Sequence, residues 1–202
     1  MIFAKKVTDE AGMIWWLFFE KDSESSPLNT NANSWRKAVR IILTKTQREY
    51  ADNVGIKRQA YNNSINKADA YGFKGDGTAI HVDGARAELA VALALSKDWA
   101  DFAKDYDKIV ADVGTNIQVR STNYRHGNLL LHPKDRDDQV FVLVKSHDFP
   151  TMEVVGWVLG KDAKKKVYWE DGSQHKAFTG RPCYRYPHTK LNPMDSLEDT
   201  ET

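Results

Sequence analysis

The chain is poor in cysteine, and this bounds both its covalent cross-links and its metal chemistry. Cys183 is the single cysteine among 202 residues, so an internal disulfide and a cysteine-rich metal site are both excluded. A lone thiol also favours a reducing compartment. The histidines form no zinc pattern, because no partner at metal-ligand spacing exists for His126, His147, His175 or His188.

Long apolar runs and an excess of one charge are lacking too. Residues 13–19 (MIWWLFF) are far fewer than the roughly 20 that span a bilayer, and they lack the cleavage site of a signal peptide. We therefore expect a cytoplasmic protein with no membrane partner. Because 29 Lys+Arg balance 28 Asp+Glu, net charge gives no sign of a nucleic-acid partner. A DNA-binding surface would need local clusters of cations.

What is present is the composition of a soluble globular protein, 41% hydrophobic and 28% charged. Residues 1–33 predict an N-terminal extension, in which two apolar runs around a turn form a candidate hairpin arm and a polar linker follows. Residues 34–197 predict one domain, and residues 198–202 an acidic tail. The WWLFF segment of the arm either packs in a core or offers a surface for a protein partner or a homodimer.

Local patterns predict two helices followed by a series of strands. Thr44 or Thr46 is a candidate N-cap for the first helix, with Glu49 completing a capping box after Thr46. Residues 79–82 predict a short strand, and Asp83 a cap for the next helix, which is apolar nearly all round and therefore buried. The fold class is then α/β (α+β-like), with the buried helix packed on a mixed sheet. The strands are predicted at residues 40–43, 116–121, 128–132, 139–145 and 153–159.

Four residues are candidates for a metal-dependent phosphodiesterase site. Glu88 is an acid in the most apolar segment of the chain, where an ionised carboxylate is costly unless it is paired or binds metal. Asp112 precedes a strand on which Gln118 and Arg120 share a face. Oxygen ligands and a cation are what metal-assisted phosphodiester hydrolysis requires. Two alternatives stay open: a strand with solvated polar residues, and a buried salt bridge from Glu88 to Arg120 or to the neighbours of Arg86.

Four segments resemble a family of small phage- and bacteria-encoded proteins of the PD-(D/E)XK nuclease superfamily. They read GARAELAVALAL, DVGTNIQVRST, LLLHPKDRDDQVFVLV and EVVGWVLGKDA, and the resemblance covers residues 40–197. It implies a restriction-endonuclease-like core of α-β-β-β-α-β type, with a metal site where the strands diverge. It also implies Mg²⁺ or Mn²⁺ as cofactor, DNA as partner, and the host-cell cytoplasm as location if a phage encodes the chain.

Carried over residue by residue, the resemblance makes Glu88 the helix glutamate and Asp112 the aspartate of the motif. Gln118 stands where an acid is usual, and Arg120 where lysine is usual. The implied metal ligands are Glu88, Asp112, Gln118 and the carbonyl of Val119. Gln118 offers a weaker ligand for Mg²⁺ than a carboxylate, and Arg120 acts on phosphate charge but not as a base. Two hypotheses follow: a metal-dependent deoxyribonuclease for DNA processing, or a weakly active or inactive module of the same fold that binds DNA or a protein.

Clusters outside this site are candidates for further contacts. Arg58 on the first helix either adds to a DNA-binding groove or belongs to an ordinary exposed face. The loop at residues 132–138 (HPKDRDD) is either a source of a second metal ligand or a charged turn. Basic residues beside Tyr168 and Trp169 suit contact with nucleic acid, with a solvated loop as the alternative. These basic residues are Lys161, Lys164, Lys165 and Lys166.

Overall fold

The structure, a computed structural model, describes the backbone of residues 2–8 and 14–20 and the whole of residues 38–65, 77–101, 111–172 and 182–197. The predicted linker and the predicted acidic tail lie outside the described residues. The two apolar runs of the N-terminal extension form an antiparallel pair of strands, β1 (Ile2–Thr8) and β2 (Ile14–Glu20).

The other described residues form helices and two further sheets. The helices are α1 (Lys45–Ser64), α2 (Thr78–Leu95) and the single turn α3 (Gly160–Ala163). The strands of the larger sheet are β3 (Val39–Ile42), β4 (Ile117–Thr122), β6 (Val140–Asp148) and β7 (Thr151–Leu159). The strands of the smaller sheet are β5 (Leu129–Leu131), β8 (Trp169–Glu170) and β9 (Cys183–Tyr186).

The larger sheet is mixed, as the sequence predicts. Its strand order is β3-β7-β6-β4, with β4 parallel to β6 and the other neighbours antiparallel. The mixed α/β architecture, with helices flanking a mixed sheet, is therefore confirmed. Because β4 is the last strand in the order, one of its edges carries no neighbouring strand of this sheet. That edge is where the candidate site lies.

Alternation along β6 divides the interior into two cores. Val140, Val142 and Val144 pack with the buried face of α2, whereas Phe141 and Leu143 pack with β5 and other residues of the smaller sheet's side. Successive residues of a strand point to opposite faces, so one continuous apolar run serves both cores. A continuous apolar run of this kind is typical of a strand that is buried on both faces. Residues of β4 therefore face either α2 or the smaller sheet.

Helix α1 begins two residues earlier than a cap at Thr46 would place it. Thr44 is the N-cap: the Gln47 N–H donates to its Oγ1 at 3.3 Å, and its own N–H donates to Gln47 Oε1 at 2.8 Å. This is a capping box built on glutamine, and it satisfies two backbone donors reciprocally. The predicted capping box from Thr46 to Glu49 is wrong, because the Thr44–Gln47 pair occupies the helix start.

Helix α2 begins at Thr78, so two local predictions are wrong. Residues 79–82 are helical and not a strand, and Asp83 lies inside the helix and does not cap it. The cause is packing between helices. A Cβ on Gly55 of α1 would stand 2.5 Å from the Val82 Cα, so the two backbones approach as closely as glycine permits. Tertiary contact there outweighs the strand tendency of a short apolar segment.

Candidate functional site

A cavity of about 150 Å³ opens beside β4 and contains three of the four predicted catalytic residues. Glu88 reaches it from α2, Asp112 from the turn before β4, and Arg120 from β4 itself. Val119, whose carbonyl is an implied metal ligand, also lines it. The predicted convergence of Glu88, Asp112 and Arg120 is thus a feature of the fold. The complete lining is Arg58, Ile80, His81, Gly84, Glu88, Ala100, Asp112, Val119 and Arg120.

Glu88 is buried and already has two partners in the cavity wall. Arg58 Nη1 donates to its Oε1 at 2.8 Å, and Trp99 Nε1 donates to its Oε2 at 2.9 Å. The predicted alternative of a buried salt bridge is therefore present, but the cation is Arg58. It is not Arg120, which pairs with Asp135, and the neighbours of Arg86 play no part. Each carboxylate oxygen can still accept a further bond, because it has two lone pairs.

Asp112 is held against the open edge of β4 by a tight turn. The N–H groups of Asp112 and Val113 both donate to the Ile117 carbonyl, at 2.8 and 3.2 Å. Gly114 closes this turn with φ of 57°, a conformation that glycine adopts at low cost. The turn returns the carboxylate to the strand, where the Val119 N–H donates to Asp112 Oδ2 at 2.8 Å. Its other oxygen, Oδ1, accepts no hydrogen bond from the residues that the structure describes.

Burial destabilises the charged forms of both carboxylates. Burial, followed by the charge of Asp112, raises the pKa of Glu88, while Arg58 and Trp99 offset part of the shift. Burial also raises the pKa of Asp112, against the lowering effects of the Val119 N–H, Arg120 and Arg58. A desolvated pair of like charges stabilises a proton or a cation between them. The electrostatics of the cavity therefore favour a bound positive charge.

Arg120 is positioned by the loop at residues 132–138, for which the sequence allowed two interpretations. Its Nη2 donates to both oxygens of Asp135, at 3.0 and 3.1 Å, and its Nη1 donates to the Val119 carbonyl at 3.1 Å. The guanidinium also lies 5.3 Å from the centre of the Phe141 ring. Asp135 is thus an anchor for the arginine, and among the lining residues no side chain of the 132–138 loop contributes directly to the cavity.

Other predicted residues are distributed between the cavity and the surface. Gln118 is half-buried on the same face of β4 as Arg120 but does not line the cavity. Arg58 is buried inside the molecule, 5% exposed, and so is not on an exposed helix face. Lys164 is held by Asp137 at 2.8 Å and by the Asp135 carbonyl at 2.7 Å. The exposed lysines of that segment are Lys161, Lys165 and Lys166, of which Lys165 pairs with Asp162.

Sequence reasoning missed Trp99 and His81. Trp99 is in an isolated bridge with Val113, a long-range contact that no local pattern announces. His81 stands seven residues before Glu88, which is two turns along one helix face, but the strand predicted at residues 79–82 hid that spacing. With the helix start at Thr78, the same spacing identifies His81 as a neighbour of the cavity.

No family model matches the chain, and neither a curated protein nor a solved structure matches it significantly. Among the helices of the described residues, none has the length and apolar character needed to cross a membrane. Within the same part of the chain, no three or more histidine, cysteine, aspartate or glutamate side chains group into a metal site.

Proposed function

We propose that this protein is a metal-dependent phosphodiesterase that acts on DNA. The observation that carries the proposal is the meeting of Glu88, Asp112, the Val119 backbone and Arg120 in one cavity at a free strand edge. Two acids and a fixed cation at one place supply what phosphodiester hydrolysis needs: a site for a divalent metal and a group that stabilises phosphate charge. We also propose that the mixed sheet and α2 form a restriction-endonuclease-like core of the PD-(D/E)XK superfamily, which the sequence resembles.

The residues present fit a divalent cation. Glu88 and Asp112 are desolvated carboxylates that line the cavity, each with a raised pKa, and Asp112 Oδ1 accepts no hydrogen bond from the described residues. Both acids would hold Mg²⁺ or Mn²⁺, together with the Val119 carbonyl, since hard cations prefer oxygen ligands. Such a cation supplies Lewis-acid activation and lowers the pKa of water. Gln118 lies outside the cavity lining, and we give it no ligand role.

Arg120 is the residue we assign to the phosphate. It stays protonated at any working pH, and its Nη2 donates to both oxygens of Asp135, which hold the guanidinium in place. A preorganised cation stabilises charge that develops on a phosphoryl group without the cost of reorganising at the moment of reaction. Arg58 lines the same cavity, but its bonds to Glu88 and to the Ala100 carbonyl make it a positioning residue for the glutamate.

The test is cleavage of plasmid and single-stranded DNA by the purified protein with Mg²⁺ or Mn²⁺. We expect the wild type to cut with either cation and to stop when a chelator is added. Asp112→Ala should slow cutting by on the order of 100-fold or more, because it removes a charged group from the reaction site. Asp138→Ala is the matched control, since Asp138 is exposed, lies outside the cavity lining and pairs with Arg136. Equal cleavage rates for wild type and Asp112→Ala would contradict the assignment of the active site.

A second candidate function is a binding module of the same fold. One observation favours it: every charged side chain of the cavity already has a partner within the protein, as the Arg58–Glu88 and Arg120–Asp135 pairs show. Such a module would hold DNA or a protein without cutting. It predicts that the wild type retards a DNA oligonucleotide equally well in Mn²⁺ and in chelator and leaves the strand intact. Metal-dependent cutting would exclude this candidate.

A further inference from the structure

Four aromatic side chains gather on the smaller sheet, outside the lining of the Glu88–Asp112 cavity. Tyr168 and Tyr186 form an edge-to-face pair with ring centres 4.8 Å apart, and Trp169 and Tyr184 form another at 4.9 Å. Trp169 of β8 lies opposite Tyr184 of β9 in the sheet register. Because Tyr168 directly precedes Trp169, and Tyr186 lies two residues after Tyr184, the two pairs are neighbours. We call these four residues the aromatic platform.

The platform is supported by the core on one side and open on the other. Tyr184 and Tyr186 pack against the core that underlies the smaller sheet. Trp169, by contrast, is 41% exposed, and Val167, two residues earlier, is 79% exposed. Edge-to-face contact is an arrangement that aromatic rings prefer, so the rings are held in place before any ligand arrives. A preorganised surface of this kind loses less conformational entropy on binding.

Basic residues surround the platform. Residues 160–172 and 182–190 contain six Lys or Arg and three Asp or Glu, although the whole chain has a net charge of only +1. Lys190 Nζ lies 5.2 Å from the centre of the Tyr168 ring. The exposed side chain of Lys166 forms no ion pair with any residue that the structure describes. This part of the surface therefore complements a polyanion.

The acids of this surface do not cancel its positive charge. Asp162 pairs with Lys165 at 2.9 Å, and Glu170 pairs with Arg185 at 2.9 Å. These two ion pairs are each neutral, and Asp171 is the one acid of the two ranges outside them. The exposed cations that remain outside ion pairs among the described residues are Lys161, Lys166 and Lys190.

The platform and Arg120 lie on the same side of the larger sheet. The Arg120 guanidinium lies 5.3 Å from the centre of the Phe141 ring, and Phe141 belongs to the core against which the platform tyrosines pack. Lys164, just before the platform in the chain, donates to the Asp135 carbonyl at 2.7 Å, and Asp135 also holds Arg120. The arginine assigned to the phosphate and the platform are therefore presented together.

We propose that the aromatic platform binds single-stranded DNA through stacking of its unpaired bases. Stacking on a side chain requires a base with an open face, and in a duplex the neighbouring bases cover those faces. The surrounding lysines would neutralise phosphates of the same strand. Single strands would then be the form of DNA that the phosphodiesterase cuts, a step that rests on the proposed function.

The experiment measures binding of a fluorescently labelled thymidine oligonucleotide to the full chain in the presence of a chelator, so that no cutting occurs. An abasic oligonucleotide of the same length offers the same phosphates without bases. We expect the thymidine strand to bind about tenfold or more tightly than the abasic strand, the gain that stacking of one base provides. A duplex of the same length should also bind more weakly than the thymidine strand.

Substitutions separate stacking from charge. Trp169→Ala should weaken binding of the thymidine strand about tenfold and leave binding of the abasic strand unchanged, whereas Trp169→Phe keeps a ring and should retain most of the affinity. Lys166→Ala should weaken binding of both strands and reduce the slope of log affinity against log salt by about 0.7. Tyr124→Ala is the matched control, because Tyr124 is 72% exposed and lies outside the platform. It should bind as the wild type does.

Equal affinity of the wild type for the thymidine and abasic strands would show that charge alone holds the DNA, and would overturn the proposal. Duplex binding as tight as that of the thymidine strand would overturn it too. The same holds for unchanged thymidine-strand binding by Trp169→Ala, once thermal melting shows that this variant is folded. The comparison of ligands on the wild type decides the question even where the variant is unstable.

The result is separable from the proposed nuclease activity. Asp112→Asn should keep the preference for the thymidine strand over the abasic strand, because its carboxylate belongs to the cavity and not to the platform. A wild type that shows this preference and cuts no DNA would contradict only the phosphodiesterase. Metal-dependent cutting without the preference would contradict only the platform.

Discussion

At the scale of single residues, the buried charges of Glu88 and Asp112 lower the stability of the fold at neutral pH. Both pKa values are raised by burial, and each carboxylate lies in a cavity with the other. The folded protein therefore binds more protons than the unfolded chain between the ordinary carboxyl value of about 4 and the raised values. The stability that this pair contributes is fully present below about 4 and is lost as pH rises through the raised pKa values.

Neutralising one acid should therefore stabilise the protein at neutral pH. Asp112→Asn keeps an oxygen that accepts the Val119 N–H and removes one of two like charges. We expect the free energy of unfolding at pH 7 to rise by on the order of 1 kcal/mol, or about 2–4 °C in melting temperature for a chain of this size. Calorimetric melting of wild type and variant from pH 4 to pH 8 measures this difference in stability. The gain should shrink towards pH 4, and a variant less stable than wild type at pH 7 would show that the carboxylate has a structural role instead.

Arg58 has the opposite role, because it compensates the buried charge of Glu88. Arg58→Met would leave that carboxylate unpaired beside Asp112, and breaking a buried pair from one side costs about 3–5 kcal/mol. Adding Glu88→Gln to Arg58→Met should restore most of the loss, since no uncompensated charge then remains. Urea unfolding of the two single variants and the double variant gives the coupling energy. Additive effects of the two substitutions would contradict the assigned pairing.

At the scale of secondary structure, the crossing of α1 and α2 sets the position of Glu88. The two helices approach closely at Gly55, where there is no room for a side-chain carbon against the Val82 backbone. Glycine to alanine inside a helix normally stabilises it by about 0.5–1 kcal/mol. Gly55→Ala should do the reverse and destabilise the fold by about 1–3 kcal/mol, the usual cost of overpacking.

Gly84→Ala is the matched control on the other helix. A Cβ there would meet only Glu88 Oε1, at 3.9 Å, which is an ordinary contact. Thermal melting should therefore show this variant at or slightly above wild type. Equal stability of the two alanine variants would contradict the close helix crossing.

Sequence predicted elements well where their signal was local. The four strands of the larger sheet and the buried character of α2 were predictable, because apolar runs between turn residues and an all-round apolar helix are patterns within one segment. The start of α2 was not, since residues 79–82 resemble a strand and only the contact with Gly55 makes them helical. The short β8 and β9 also carried no local signal that separated them from the aromatic and basic tail.

At the scale of the whole molecule, the site exists because the topology leaves β4 at an edge. Asp112 can reach back to the Val119 N–H only because no strand of the sheet occupies that side. Sequence reasoning placed Glu88, Asp112 and Arg120 together through periodicity and resemblance. It could not supply the partners, because Arg58, Trp99 and Asp135 come from separate elements and are selected by tertiary contacts alone.

The central claim is that Glu88 and Asp112 form one divalent-cation site, and calorimetric titration of the purified protein with Mn²⁺ tests it most directly. We predict one saturable site in the wild type, with binding that weakens as pH falls through the raised carboxyl pKa values, because protons compete for the same oxygens. Asp112→Asn and Glu88→Gln should each abolish it, and Asp138→Asn should not. Absence of saturable Mn²⁺ binding in the wild type, or unchanged binding in Asp112→Asn, would contradict the claim.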